Sequence, residues 1–417
     1  MKVRNVVIVG GGVIGTGCAY YLAKAGHAVT VLDRGDIGGA CSHGNCGYVC
    51  PSHVLPLAVP GAIWATMKTA FARNSPLKVR IGYALRNLGW FLRFARKCNT
   101  RDMMAAAVGI QSLLKSSRRM YDELLETEGF DVEWDTHGLL FVFQSEKAFH
   151  HYETTDKLLR TEFDMPAERW DAAELRAKEP ALKPGSAAGG YLYTSDAQLR
   201  PDVLMRGWRA AVEKLGGTFV PNAEMTGFKV QGETVSAVTT ATGDFPADAV
   251  VIATGAWAPL LNRELGCKLP IVPGKGYSLT LPRPAVCPTY PMIFEEHRVA
   301  VSPFRTGFRI GSTMEFAGYD DTMNRDRLKI LRDAAAVYLT DTGGEQVSEE
   351  WWGWRPMVHD GKPVIDRAPK FGNVLIAAGH GMLGLSMAPA TGRLVAELLT
   401  GEKPHVDPKA YSLRRFG

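Results

Sequence analysis

The chain has 417 residues, of which 46% are hydrophobic and 22% are charged, and its formal net charge is +5. These values are typical of a globular protein that is long enough for two domains, each with its own core. Lysine and arginine are scattered rather than gathered in one basic block, which argues against nucleic acid as a partner.

The first predicted elements form a βαβ unit. An apolar run over residues 6–9 predicts a buried strand, and residues 28–32 predict a second one that ends at Asp33. Between them three glycines have the spacing Gly-x-Gly-x-x-Gly, at Gly10, Gly12 and Gly15. The first permits a tight turn, the second lets a pyrophosphate approach the backbone, and the third lets helix and strand pack closely. With a carboxylate placed to bind a ribose hydroxyl, this order predicts a dinucleotide site.

The segment 37–67 contains no charged residue and is rich in Gly, Pro, Ser and Cys, which is typical of a long loop that contacts a ligand. Its cysteines Cys41, Cys46 and Cys50 match neither zinc nor ferredoxin spacing, and no fourth ligand is evident. We therefore expect no metal. Seven cysteines without an export signal favour reduced thiols in a cytoplasmic protein, and no run is long enough to span a bilayer.

The middle of the chain alternates predicted helices and strands. Helices are expected over 101–128, 200–215 and 325–339. Strands are expected over 138–143, 189–193, 271–281, 299–302 and 308–312, with two or three more between 218 and 241 before a turn at 242–244.

Two later apolar strands resemble the first. Residues 249–253 and 374–378 are each followed by a glycine turn, and the second turn leads into a helix over 386–399 with Gly401 after it. Such strands predict one parallel sheet assembled from distant segments. The predicted fold is α/β, with a Rossmann-like nucleotide-binding domain from 1–60, 195–265 and 350–417. An antiparallel α+β substrate domain comes from 61–194 and 266–349.

Several short motifs carry a resemblance to a known family. They are Ser42-His43-Gly44-Asn45-Cys46-Gly47, Pro56-x-x-x-Pro60-Gly61, Pro273-Gly274-Lys275-Gly276-Tyr277-Ser278, Trp354-Arg355-Pro356, Asp360-Gly361-Lys362-Pro363 and Gly379-His380-Gly381. With these motifs the chain resembles the FAD-dependent amine oxidoreductases of the D-amino-acid oxidase and glycine oxidase type, most closely the bacterial D-amino-acid dehydrogenases. The resemblance implies an extended FAD, with its adenine end at the first βαβ unit and its flavin ring beside residues 42–47.

The second glycine turn supports FAD over NAD. A nicotinamide enzyme would not need it, whereas N–H groups at a helix N-terminus near residues 381–386 would stabilise negative charge at the flavin pyrimidine edge. The residues expected to contact FAD are Gly10, Gly12, Val13, Ile14, Gly15, Asp33, Arg34, Ser42, His43, Asn45, Gly47, Met225, Thr254, Gly255, Gly381, Met382, Leu383 and Gly384. Many relatives have Thr/Ser-x-x-Ala-Asn-x-Gly in the loop at 41–47. Here Cys41, His43 and Cys46 offer covalent attachment as an alternative to the non-covalent FAD that we expect.

Arg355 is the expected clamp for a substrate carboxylate, because its planar fork binds carboxylates with two hydrogen bonds and the matching arginine of the family has this role. The alternative is an ion pair with Glu349, Glu350 or Asp360. Tyr277 is expected either to add a hydroxyl to the carboxylate site or to pack in the core.

Three further residues are weaker catalytic candidates. His380 lies between two glycines at the expected flavin edge, where it either touches flavin or substrate or makes a structural hydrogen bond. Lys275 and Arg309 lie on predicted strands and either face the flavin ring, supporting its reduced anionic form, or lie at the surface.

Three functions remain open at this point. The first is a D-amino-acid dehydrogenase that passes electrons to a quinone or another carrier. The second is a glycine, sarcosine or proline-type amine oxidase that uses oxygen, and the third is a flavoprotein subunit of a larger dehydrogenase complex. Residues 77–97 mix apolar and basic side chains, which suits either a peripheral contact with the inner face of the cell membrane or an amphipathic helix packed on the core.

Overall fold

The computed structural model describes residues 4–64 and 75–416. The described helices are α1 Val13–Lys24, α2 Ile81–Arg86, α3 Leu88–Lys97, α4 Thr100–Glu128, α5 Glu146–Phe163, α6 Ala172–Lys178, α7 Pro201–Lys214, α8 Asn262–Leu265, α9 Arg325–Tyr338 and α10 Gly384–Thr400, with 3₁₀ turns at Gly255–Leu261, Pro408–Tyr411 and Leu413–Phe416. No helix in these two ranges is long and apolar enough to cross a membrane. The last three residues of the predicted uncharged loop, 65–67, lie outside the described residues.

The described strands, in chain order, are β1 Asn5–Val9, β2 Ala28–Leu32, β3 Tyr48–Val49, β4 Leu77–Val79, β5 Leu139–Phe143, β6 Glu168–Asp171, β7 Gly189–Tyr193, β8 Ala197–Gln198, β9 Thr218–Val220, β10 Met225–Gln231, β11 Thr234–Thr240, β12 Gly243–Pro246, β13 Ala249–Ile252, β14 Ile271–Leu281, β15 Met292–Phe294, β16 Val299–Ser302, β17 Phe308–Phe316, β18 Glu349–Val358, β19 Val364–Arg367 and β20 Val374–Ala378.

The predicted parallel sheet is present. Its strand order is β19-β20-β13-β1-β2-β9, and all neighbours are parallel except β19, which pairs antiparallel with β20. The strands β1, β13 and β20 are almost fully buried, because α1 and α10 pack together on one face and the three-stranded sheet β10-β11-β12 covers the other. The turns that follow β1, β2, β13 and β20 therefore meet at one edge, where open α/β sheets bind their ligands.

A second, larger sheet has the order β18-β14-β17-β16-β15-β5-β7-β6, and β4 pairs with the far end of β17. Most neighbours are antiparallel, while β15 pairs parallel with β5 and β4 parallel with β17. Helix α9 packs against this sheet through Leu328, Leu331 and Ala335. The predicted fold class is confirmed by this architecture.

Several element predictions differ from the structure. The strand predicted over 308–312 continues to Phe316, and the turn expected at 242–244 leads at once into β12. Strand β18 lies in the segment assigned to the nucleotide-binding domain, yet it pairs with β14 along its whole length in the larger sheet. Helix α5 has no counterpart among the predicted elements, because its few buried residues are separated by many polar ones.

Candidate active site

One cavity of about 2180 Å³ is lined by residues from both sheets. Small-molecule sites commonly measure roughly 300–1,000 Å³, so this cavity has room for an extended cofactor together with a substrate. All but two of the predicted cofactor-binding residues line it, and the two exceptions are Gly15 and His43.

Each of the three glycines in the first turn is required for a different physical reason. Gly10 has φ +108°, and a Cβ there would lie 2.5 Å from the carbonyl oxygen of Ala253. A Cβ on Gly15 would lie 1.8 Å from the carbonyl oxygen of Gly10, so this glycine lets helix and strand touch. A Cβ on Gly12 would point into the cavity, with only Ser42 Oγ nearby at 3.3 Å. Gly12 is thus the position at which a side chain would exclude a ligand rather than disturb the fold.

The carboxylate of Asp33 closes the adjoining turn. Its Oδ2 accepts from Gly11 N–H at 2.7 Å and its Oδ1 accepts from Gly35 N–H at 2.9 Å, while burial raises its pKa. Arg34 is half exposed, lies over the ring of Trp257 at 5.2 Å and pairs with Glu224. Both Asp33 and Arg34 border the cavity, as predicted for the nucleoside end of the cofactor.

The loop after β2 is held by its own hydrogen bonds. Asn45 Nδ2 donates to the carbonyl of Ser42, and Asn45 Oδ1 accepts from Gly47 N–H. Ser42 Oγ accepts from Val13 N–H at 2.9 Å, which ties the loop to the start of α1. A Cβ on Gly44 would enter the ring of Trp351, so this loop packs tightly along the cavity wall.

The second glycine turn also lines the cavity. Gly381 N–H donates to the carbonyl of Pro356, and residues 381–386 line the cavity at the start of α10. His380 Nε2 lies 3.0 Å from Thr391 Oγ1, and burial lowers the pKa of His380 to about 3. The imidazole is therefore neutral at physiological pH, and it makes a structural hydrogen bond while also lining the cavity.

Arg355 lies at the cavity wall without a carboxylate partner among the described residues. Its Nη1 donates to the carbonyl of Thr313 at 2.7 Å and its Nη2 to that of Ser312 at 3.3 Å. The predicted alternative partners are engaged elsewhere: Glu349 with His43, Glu350 with Arg325, and Asp360 with Arg415. Burial lowers the pKa of the Arg355 guanidinium, so the site favours an anionic ligand as its counter-charge.

A bulge in β17 supplies the two carbonyls. Ser312 has φ +105° and Thr313 has φ +43°, conformations that are rare for residues with a side chain and costly for a β-branched one. The bulge turns both carbonyls toward Arg355. It also leaves Thr313 Oγ1 buried without a hydrogen-bond partner among the described residues, and this residue borders the same part of the cavity.

Tyr277 also lines the cavity, but its hydroxyl is engaged. It donates to Glu315 Oε2 at 2.7 Å, and burial raises its pKa. Glu315 is buried and is approached by Arg80 at 3.5 Å. The phenol ring therefore forms part of the cavity wall, while its hydroxyl is held by Glu315.

Lys275, Arg309 and His43 do not line the cavity. Lys275 Nζ donates to the carbonyls of Asp320 and Thr322 and lies over the ring of Trp352, so its position does not support a catalytic role. Arg309 is buried rather than at the surface, and its Nη1 donates to the carbonyls of His43 and Asn45, which makes it a support of the loop. His43 Nε2 lies 2.6 Å from Glu349 Oε1. The side chains of Lys275 and His43 are therefore committed to protein partners outside the cavity lining, and the structure gives no support to their predicted contacts with flavin.

The three cysteines between residues 41 and 50 are buried or partly buried. Cys41, Cys46 and Cys50 all border the cavity, and burial raises the pKa of each thiol. Among the described residues there is no group of three or more side chains arranged to hold a metal. Sequence reasoning gave no role to two residues at the cavity wall, Thr313 and Trp354, whose Nε1 is buried without a partner in the described part of the chain. It also gave none to Gly276, which leaves room for the Arg355 guanidinium.

The model of the FAD dependent oxidoreductase (DAO) family matches residues 5–398. The chain belongs to this family. The D-amino acid dehydrogenase of Azorhizobium caulinodans is 31% identical over 99% of this chain and 100% of the relative. Among solved structures, the glycine oxidase of Bacillus cereus has a TM-score of 0.76 at 19% identity over 96% of both chains. The L-proline dehydrogenase of P. horikoshii has a TM-score of 0.78 at 21% identity over 100% of this chain and 98% of that one.

The residues at the cavity fit the cofactor of this FAD-dependent family. Gly12 leaves the backbone open to a pyrophosphate, and the turn Thr254–Gly255 faces the same end of the cavity. Thr254 Oγ1 is buried and has no hydrogen-bond partner among the described residues, as expected where a polar ligand completes the site. The enzyme is thus an FAD-dependent oxidoreductase, and the turns after β1, β13 and β20 all line the cavity that has room for its cofactor.

Proposed function

We propose that this enzyme oxidises D-amino acids and passes the electrons to a quinone or a similar carrier. The observation that carries the proposal is Arg355, a cavity-facing guanidinium held by two backbone carbonyls and lacking a carboxylate partner among the described residues. A substrate carboxylate is the anion that suits its fork. The name of the Azorhizobium caulinodans relative, which is matched over the full length, favours the D-configuration.

In this proposal the chain binds and orients while the cofactor carries the redox chemistry. FAD, when bound, would supply the two-electron oxidation of the substrate Cα–N bond, and water would hydrolyse the resulting imino acid to a 2-oxo acid and ammonia. Arg355 holds the carboxylate, and Thr313 Oγ1 is placed to contribute a hydrogen bond beside it. Gly10, Gly12 and Asp33 line the part of the cavity proposed for the nucleotide, Ser42 adjoins Gly12, and the start of α10 lines the part proposed for the flavin.

A surface near the cavity supports a membrane-borne acceptor. Helices α2 and α3 expose four apolar side chains, which we call the helical apolar surface: Ile81, Leu85, Leu88 and Leu92. Trp90 on the other face of α3 is buried and donates to the carbonyl of Pro270, so the helix is fixed to the protein. The preceding strand β4 begins at Leu77, which lines the cavity. One face of the segment 77–97 therefore packs on the core, and the other is left for a membrane contact.

Two measurements test the proposal, and the first is reduction of the flavin by amino acids in the absence of oxygen. D-amino acids are expected to bleach the flavin absorbance of the purified protein, while their L-enantiomers leave it unchanged. Reoxidation by a short-chain ubiquinone is then compared with reoxidation by air-saturated buffer. Bleaching by L-amino acids alone would overturn the stereochemical part, and faster reoxidation by oxygen would place the enzyme among the oxidases.

A further inference from the structure

A second cavity, of about 780 Å³, shares no lining residue with the first. It lies between the C-terminal half of α3, the loop over 266–270, His359 and the terminal 3₁₀ turn Leu413–Phe416. Its volume lies within the range of roughly 300–1,000 Å³ that is common for small-molecule sites. We refer to it as the basic cavity.

Its lining is strongly cationic. One acidic side chain, Asp102, and six basic side chains border it. The basic residues are Arg93, Arg96, Lys97, Lys268, Arg414 and Arg415. Lys97 pairs with Asp102 at 2.8 Å, and Arg415 Nε with Asp360 Oδ2 at 2.8 Å. The other four have no carboxylate within ion-pair distance in the described ranges 4–64 and 75–416. Most of the positive charge at this cavity is therefore uncompensated by the described part of the fold.

His359 supplies a second, independent observation. Its side chain is only 4% exposed, and its Nδ1 is buried with no hydrogen-bond partner among the described residues. The ring is fixed edge-on against Phe416 at 5.3 Å and lies 6.5 Å from Trp90. Its pKa is lowered, first by burial and then by Arg93, Arg415 and Lys97, against the opposing effect of Asp360. A buried polar group without a partner is costly unless a ligand completes it.

We propose that the basic cavity binds a phosphate group. Guanidinium and ammonium groups without counter-ions, together with one imidazole N–H, are the donors that phosphate oxygens accept from. The group would come either from a soluble phosphate ester or from the headgroup of an anionic phospholipid, because Leu88 and Leu92 are exposed on the same helix as Arg93 and Arg96. The inference concerns a site separate from the redox cavity and does not depend on the proposed substrate.

The test is calorimetric titration of the FAD-loaded protein with inorganic phosphate. The double variant Lys268→Gln/Arg414→Gln removes two uncompensated cations without touching α3. It is expected to bind phosphate at least about tenfold more weakly, since a hydrogen bond to a charged group contributes roughly 1.5–3 kcal/mol. His359→Phe keeps the ring contacts and removes the N–H, so a smaller loss is expected. Lys147→Gln/Lys214→Gln, at exposed positions outside both cavities, is the matched control for charge.

A second arm separates the two sources. Vesicles of phosphatidylcholine with and without phosphatidylglycerol are sedimented with the protein, in the presence and absence of inorganic phosphate. Binding to the anionic vesicles that phosphate competes away assigns the headgroup, whereas phosphate binding without vesicle binding assigns a soluble ester. Equal phosphate affinity in the wild type, the cavity variant and the control would overturn the proposal. So would an equal loss in the cavity variant and the control. Flavin content and dye-linked turnover, measured on the same samples, report separately on the redox site.

Discussion

At the scale of single residues, Arg355 is held on one side and open on the other. The carbonyls of Ser312 and Thr313 accept two of its N–H bonds, and Gly276 on the neighbouring strand leaves space for the guanidinium, since a Cβ there would lie 2.4 Å from Cζ. A fork fixed in this way loses little conformational freedom when it binds a carboxylate. The backbone therefore pre-organises the substrate clamp.

Arg355→Lys is expected to raise the apparent KM for a D-amino acid at least about tenfold, because lysine cannot replace a two-pronged contact and each charge-assisted hydrogen bond contributes roughly 1.5–3 kcal/mol. The measurement is steady-state turnover with an artificial dye at saturating dye concentration. Arg325→Lys, an exposed position paired with Glu350, serves as the control and is expected to leave KM unchanged. An unaltered KM in the Arg355 variant would remove this residue from the substrate site.

Gly12→Val is expected to abolish flavin content while the chain still folds. Gly12 has φ −73°, and an added Cβ meets no backbone atom within 4 Å but only Ser42 Oγ at 3.3 Å. Valine therefore requires a small shift of the Ser42 side chain in the apoprotein, and it fills the place proposed for the pyrophosphate. The flavin absorbance relative to protein and the circular dichroism spectrum are measured together. Gly372→Val, where no atom lies within 4 Å of the added Cβ, is the control. A yellow Gly12 variant would contradict the assigned position of the pyrophosphate.

Glycine positions at the site were predictable, whereas side-chain directions were not. Close backbone contacts require glycine at Gly10 and Gly15, and this requirement is visible in the sequence as the glycine motif. Lys275 and Tyr277 lie two residues apart on β14, but only Tyr277 borders the cavity, and the β17 bulge opposite them depends on pairing with a distant strand. The unpartnered Thr313 Oγ1 could not be predicted either, because its position also depends on that strand pairing.

At the scale of elements, the bulge in β17 is the feature of the site that the sequence did not predict. Prediction ended the strand at Ser312, where the structure has its positive φ values, and the strand continues beyond it. Positive φ is normally announced by glycine, and here serine and threonine adopt it. The element that orients Arg355 is therefore invisible without the pairing of β17 with β14 and β4.

The double variant Leu88→Ser/Leu92→Ser is expected to weaken co-sedimentation with anionic liposomes, because it removes half of the helical apolar surface while Trp90 keeps α3 in place. Turnover with a soluble dye should be unchanged, since neither leucine lines the cavity. Val108→Ser/Val337→Ser, which removes exposed apolar side chains from α4 and α9, is the control. Equal sedimentation of all three proteins would argue against a membrane contact through α2 and α3.

At the scale of the whole molecule, the cofactor site depends on segments that are far apart in the chain. Strands β1, β13 and β20 were predictable as one sheet because each is a short, fully apolar run followed by a glycine turn. Strand β18 was not predicted as a strand; its residues from 350 onward were placed in the nucleotide-binding domain, whereas it pairs with β14 in the larger sheet. Its pairing with β14 brings Arg355 to the cavity, which explains why one segment contributes to both halves of the site.

Buried ionisable groups near the cavity have opposite effects on acid stability. Burial lowers the pKa of His380 to about 3 and that of His53 to about 4, so protonation of these residues favours the unfolded chain and stability falls as the pH drops below 6.5. Burial raises the pKa of Asp196 to about 7, although Ser52 donates two hydrogen bonds to it. The folded chain holds this proton over a range in which the unfolded chain has released it. Asp196 therefore makes the protein less stable as the pH rises from about 4 to about 7.

Asp196→Asn is expected to abolish the loss of stability between about pH 4 and about pH 7, because asparagine does not titrate. Relative to the wild type, the free energy of unfolding of the variant should rise by about 1.4 kcal/mol for each pH unit between about 4 and 7 and level off above that, in addition to a constant offset from altered hydrogen bonds with Ser52. The measurement is the apparent melting temperature of the FAD-loaded proteins across this range. Asp333→Asn, at an exposed carboxylate of α9 that pairs with Lys329, is the control. A difference between variant and wild type that stays constant from about pH 4 to about pH 8 would show that the Asp196 carboxyl titrates alike in the folded and unfolded chains.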